Sequence, residues 1–216
     1  MFPPGAASLV TASNINTSFK VGVSVGEFSS STITIAGTRI AATDISGIIC
    51  SIAYFLPLEF YYVEPADRRY VCAEVTAFLI YFMSELACKK LNPPSSRALC
   101  GPGMHRIEWM KAAHAQGVPI WPTRLKNGLS VEVDSPHLQT LRATIVGGAI
   151  VESKIPKRIQ EHLATMSRAF STPYLCADFV SPRQGQFFLT DLWFVPNVST
   201  RASREAIVRF MEAPPA

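Results

Sequence analysis

The spacing of apolar positions changes several times along this chain, and each change marks an expected element. Phe19 to Val25, Ser31 to Ile35 and Ile45 to Tyr54 carry β-branched and aromatic residues between Gly and Ser punctuation, which predicts strands. From Asp67 to Lys90 the spacing lengthens to three and four. Val71, Val75, Phe78, Leu79, Phe82, Met83 and Leu86 then share one helical face, and Lys89-Lys90 stand where a helix C-terminus favours cations. Asn92-Pro93-Pro94 cannot continue that helix. A second helix over Met104 to Gln116 is ended by Gly117 and leads into a short strand, Val118 to Trp121. Residues 122 to 138 read as polar loop. Thr140 to Val146 and Ala149 to Glu152 flank Gly147-Gly148, a pair suited to the positive backbone angles of a tight hairpin. A helix from Pro156 to Phe170 follows, with Ile159, Leu163, Met166 and Phe170 on one face. The strand carrying Asp178, the turn Ser181 to Gln186 and the strand-like Phe187 to Pro196 close the sheet, and Ser203 to Met211 forms a last short helix.

This order predicts an α/β fold, a mixed sheet flanked by helices. The polar loop is the natural boundary between two lobes. The expected division is a loosely ordered N-terminus over 1–18, a first lobe over 19–123, a short linker over 124–139 and a second lobe over 140–216. There are no internal repeats.

Composition adds restrictions. At 48% hydrophobic and 17% charged residues the chain is more apolar than usual for its size, which points to extensive buried surface including a subunit interface. The net charge of +4 is spread without any basic block, so nucleic acid is not an expected partner. Cys50, Cys72, Cys88, Cys100 and Cys176 show no Cys-x-x-Cys and read as buried reduced thiols of a cytoplasmic protein. The N-terminus lacks the basic and apolar regions of a signal peptide, and Ile45 to Leu58 falls short of the ~20 residues a membrane span requires. His105 and His114 are wrongly spaced for a helical metal pair, and with His137 and His162 they read as structural or exposed. Hydrolase, zincin and dinucleotide-binding motifs are missing from the sequence.

The chemistry concentrates in a few stretches. Asp178 and Asp191 lie a hairpin apart, so two hard oxygen ligands can converge on one sheet face and share a divalent cation. Asn92-Pro93-Pro94, Arg106 and Gly117-Val118-Pro119-Ile120-Trp121-Pro122-Thr123 come before them. Leu141-Arg142-Ala143-Thr144-Ile145-Val146-Gly147-Gly148 intervenes, and Asp191-x-Trp193-x-x-Pro196 ends the series. In this order and spacing the stretches resemble the ATP-grasp ligases over residues 40 to 210, nearest to the glutamate-ligase and ribosomal-peptide-modifying branches. The resemblance implies a first lobe like the family's pre-ATP-grasp lobe and a second like its C-terminal lobe. It also implies an enzyme that phosphorylates a carboxylate for attack by an amine. Arg106 would stand for the family's helix lysine, Arg142 for its phosphate-facing arginine, and Asp178 and Asp191 for its magnesium ligands.

Two departures weigh against that activity. Trp193 stands where the family places an amide oxygen ligand, and an indole can only donate a hydrogen bond. Between Thr123 and Thr140 there is too little chain for the family's lid, and Lys126 with Gly128 cannot cradle phosphates. The first reading is therefore a truncated, degenerate relative with vestigial Arg106, Arg142, Asp178 and Asp191 and no cofactor. It would act without catalysis as a binding or assembly partner, as a homo-oligomer or beside a full-length ligase. The alternative is a Mg-ATP-dependent carboxylate-amine ligase with a reduced site, or one completed by another chain. A third is a generic α/β interaction domain with a fortuitous resemblance. At residue level, the bland expectations are that the aspartates cap turns, Arg142 pairs with one of them, Arg106 is a solvated helix start, and Trp193 packs with Phe187 and Phe194.

Overall fold

The computed structural model describes residues 10–11, 20–24, 26–35, 37–122, 124–126, 130–132, 140–183 and 185–214. The expectations for residues 1–18 fall outside these apart from Val10 and Thr11, as do those for Thr123, Gly128, His137 and most of the linker. The described chain is mixed α/β, with several sheets rather than one.

Lys20–Gly22 (β1), Thr32–Ile35 (β2) and Thr38–Ala41 (β3) form an antiparallel meander. The predicted strand over 45–54 contracts to Gly47–Ile48 (β4), paired in parallel with Lys89–Lys90 (β5). Its apolar composition suits a pleated surface, but only two residues of partner backbone lie alongside it. The first helix, α1, spans Arg68–Glu85 and stops short of the lysines, because Leu86 is extended (φ −62, ψ 121). The ammonium of Lys90 still serves the helix end, donating to the Leu86 carbonyl at 2.5 Å.

The second helix, α2, is Arg106–Ala115, and Gly117 after it adopts φ +75. The predicted strand at 118–121 is reduced to a parallel bridge from Ile120 to Leu189, with backbone hydrogen bonds at Pro119 and Trp121. Where loop was expected, Arg124–Lys126 (β6) and Ser130–Glu132 (β7) pair as an antiparallel hairpin.

Thr140–Val146 (β8), Ala149–Ile150 (β9), Tyr174–Val180 (β10) and Phe188–Trp193 (β11) make the largest sheet, in the order β11-β10-β8-β9 and antiparallel throughout. Side-chain alternation gives it two distinct faces. Ala143, Ile145, Leu175, Ala177, Phe179, Leu189 and Leu192 meet Ile159, Leu163 and Met166 of Lys157–Ala169 (α3) and Trp109 and Ala113 of α2. On the opposite face, Val146, Tyr174 and Cys176 meet Leu91 and the Ala206 and Ile207 of Arg201–Glu212 (α4). α4 covers only one end of that face, and the uncovered end carries the charged residues. No helix among the described residues is long and apolar enough to cross a membrane.

Candidate functional site

Three adjacent strands bring the charged residues together. In the register of the large sheet Arg142 on β8 lies opposite Asp178 on β10, and Asp178 lies opposite Asp191 on β11. The next row toward α4 is Thr144, Cys176 and Trp193. The sequence expectation that both aspartates share a face therefore has a geometric basis.

Arg142 is committed to its neighbour. Its Nε and Nη2 donate to the two carboxylate oxygens of Asp178, each at 2.8 Å. Its guanidinium also lies over the Trp193 ring, 4.7 Å from the centroid. The Arg142 side chain is 56% exposed and that of Asp178 only 13%, so the aspartate depends on the arginine more than the reverse. This hydrogen bonding, together with the negative charge of Asp178, raises the guanidinium pKa further above its ordinary value. Asp191 accepts from the backbone N–H of Leu192 at 2.9 Å through Oδ1.

A bulge shapes this part of β11. The register jumps between Asp178 and Phe179, so that Asp191 pairs with Asp178, Leu189 pairs with Phe179, and Thr190 has no strand partner. Its hydroxyl donates to the Asp178 carbonyl at 3.0 Å, and its own carbonyl accepts from Arg106 Nη2 at 2.6 Å. Arg106 is thus a half-buried clamp on the bulge rather than a solvated helix start. Its Nε is buried without a hydrogen-bond partner. At this helix entrance Glu108 accepts from the His105 backbone N–H at 2.8 Å and pairs with Arg97 at 2.9 Å. Those hydrogen bonds, the one from Arg97 first, hold its carboxyl below the usual range.

Trp193 does not pack with Phe194. Phe187 and Phe194 belong to the helix-covered face, whereas Trp193 joins Leu91, Val146 and Tyr174 on the other. A pocket of about 150 Å³ opens beside it, lined by Arg142, Tyr174, Cys176, Trp193, Val195 and Asn197. Burial pushes the Cys176 thiol up and the Tyr174 phenol to about 12, so neither is a ready nucleophile or base. Sequence reasoning passed over Tyr174 and read Cys176 only as a buried thiol, although their spacing of four and two before Asp178 places them on its strand face.

Asn92 has a larger role than its turn motif suggested. Its buried side chain donates to the carbonyls of Tyr174 at 2.9 Å and Phe194 at 2.5 Å, and accepts from the Tyr174 N–H at 2.8 Å. It thereby holds the start of β10 against the end of β11.

As arranged, this cluster is a poor cation site. Both oxygens of Asp178 face a guanidinium, one of Asp191 faces its own backbone, and Trp193 offers no lone pair. No group of three or more His, Cys, Asp or Glu suited to a metal occurs among the described residues.

Solved structures share this architecture. The macrocyclase MdnC of Microcystis aeruginosa MRC, bound with precursor peptide MdnA, superposes with a TM-score of 0.70 at 13% identity over 94% of this chain and 89% of that one. The chain has an ATP-grasp-like fold. A RiPP-associated ATP-grasp ligase from Chryseobacterium gregarium, in complex with ADP and a leader and core peptide, matches at a TM-score of 0.62 and 12% identity, over 91% of this chain and 85% of that one. The ATP-grasp ligase PsnB, complexed with precursor peptide PsnA2 and AMPPNP, matches at 0.60 and 12% identity, over 90% of this chain and 86% of that one. No family model matches the sequence, and no curated protein matches it. The ATP-grasp-like fold is thus visible in backbone arrangement where sequence identity has nearly gone, and a fortuitous likeness confined to short motifs is set aside.

Proposed function

We propose that this ATP-grasp-like protein does not catalyse ligation by itself and acts as a binding or assembly partner in peptide modification. The supporting observation is the state of Arg142. A phosphate-binding arginine must offer its donors outward, yet two of these are spent on Asp178 and the guanidinium plane rests on Trp193. Asp178 is neutralised by the same pair, so one contact removes an anion contact and a cation ligand together. Trp193 at the third ligand position and the short span between Thr123 and Thr140, which we read as a reduced lid, favour the same conclusion. The relatives solved with precursor peptides make a peptide the natural class of partner.

Calorimetric titration of ATP with magnesium into the pure chain tests this reading, with no binding heat expected. Magnesium-dependent binding that Asp191→Ala abolishes would overturn it in favour of the reduced-site ligase, as would ATP turnover with a carboxylate and an amine. The register that sets Asp178 and Asp191 opposite one another is what keeps that second reading in play.

A further inference from the structure

The outer face of α1 is built like an interface. Its inner face, with Cys72, Leu79 and Phe82, is buried against the first lobe. Its outer face exposes Tyr70, Ala73, Ala77, Phe78 and Tyr81, and between Arg69 and Glu85 that face carries a single charge, Glu74. A helix apolar on all sides is normally buried on all sides. Next to its N-terminus the segment 54–62 exposes more of the same chemistry, with Leu58 at 78% and Tyr61 at 70%. Arg68 anchors this segment to the helix, donating to the carbonyls of Tyr61 and Val63 at 2.9 Å each. Aromatic side chains cover ~150–250 Å² each, so this surface offers on the order of 800 Å², the amount each partner contributes to a standard stable interface.

The sequence of the face names its occupant. Residues four apart form a ridge, here Arg69, Ala73, Ala77, Tyr81 and Glu85. Read backwards against itself about Ala77, this row sets Arg69 against Glu85 and Tyr81 against Ala73, so charge meets opposite charge and a large side chain meets a small one. Such self-complementarity is what a two-fold contact requires. Arg69 and Glu85 make no ion pair with another described residue. We infer that α1 docks against α1 of a second copy of this chain, antiparallel, crossing at Ala77 with the four-residue ridges aligned at roughly −50°. The flanking tyrosines of 54–62 extend the contact. This inference is independent of the state of the Arg142–Asp178 cluster.

Sedimentation equilibrium of the full chain over about 1 to 100 µM is expected to give a dimer mass that rises with concentration. Ala77→Arg, at a solvent-facing position of the single chain, is expected to give a monomer with unchanged circular dichroism. Arg69→Glu alone should weaken the dimer by about tenfold or more, and adding Glu85→Arg should restore it. A monomeric parent throughout the range would overturn the proposal. A dimer indifferent to Ala77→Arg, or a charge reversal that the second substitution does not rescue, would overturn it equally.

Discussion

At the scale of single residues, the bidentate contact of Arg142 with Asp178 decides how the site reads. Asp178 is nearly buried, so removing its partner leaves a carboxylate with little access to water. Arg142→Ala is therefore expected to lower stability by about 1–2 kcal/mol, discounted for the exposed half of the pair, as a shift of the urea midpoint. Asn92→Ala should cost more, about 3 kcal/mol, because three hydrogen bonds to buried backbone are lost at once. The same unfolding series measures it, and a loss under 1 kcal/mol would contradict the bracing role given to Asn92. Motif spacing brought Arg142, Asp178 and Asp191 together, and the expectation that Arg142 pairs with one of the aspartates matches its contact with Asp178. Which aspartate it takes, the Arg106 contact and the direction of Trp193 depend on strand register and on a bulge, which residue types do not encode locally.

At the scale of elements, legibility followed how far each element depends on distant chain. The helix at 157–169 and the Gly147-Gly148 hairpin were readable because periodicity and turn chemistry are local, and both glycines do adopt positive φ, +57 and +89. The strand expected over 45–54 shrank to two residues because its extent is set by what lies beside it. The loop expected at 122–138 contains the β6–β7 pairing for the converse reason, since backbone pairing can form where side-chain patterning is silent. The two hairpin glycines are not equivalent. A Cβ at Gly147 would collide with the Phe210 ring of α4, whereas one at Gly148 would meet nothing. Gly148→Ala is expected to cost about 1 kcal/mol for its backbone angle alone, while Gly147→Ala should cost roughly 2–3 kcal/mol and loosen α4. Hydrogen exchange of α4 amides distinguishes them, rising in the first variant only if Phe210 is not the cause.

At the scale of the whole molecule, two buried acids make stability fall at high pH. Burial pushes the Cys100 thiol from 9.0 to about 12 and the Tyr174 phenol from 10.0 to about 12. Both groups hold their protons more firmly folded than unfolded. Their contribution is complete below the unfolded values and is lost as pH rises from about 9 toward 12. Urea midpoints are expected to fall steadily between pH 9 and pH 11, and less steeply in Cys100→Ala. Equal slopes in parent and variant would remove Cys100 from the account. The ATP-grasp-like architecture was legible from the order of motifs along the chain. The division of the large sheet into a helix-covered face and a partly open face was not, because it requires the full strand order.

The bulge at Thr190 has a consequence for how β11 can vary. Leu189 and Leu192 are an odd number of residues apart yet enter the same core, and only the extra residue makes this possible. The strand therefore runs in two frames, like a text with one inserted letter. Before Thr190, odd-numbered positions point toward the helices; after it, even-numbered ones do. Deleting this one threonine would fuse the two frames into a single alternation that still sets Leu189 and Leu192 inward and Asp191 and Trp193 outward. Such a deletion would spare the open charged face and remove the contacts that Thr190 alone makes, the carbonyl that Arg106 clamps and the hydroxyl that reaches the Asp178 carbonyl.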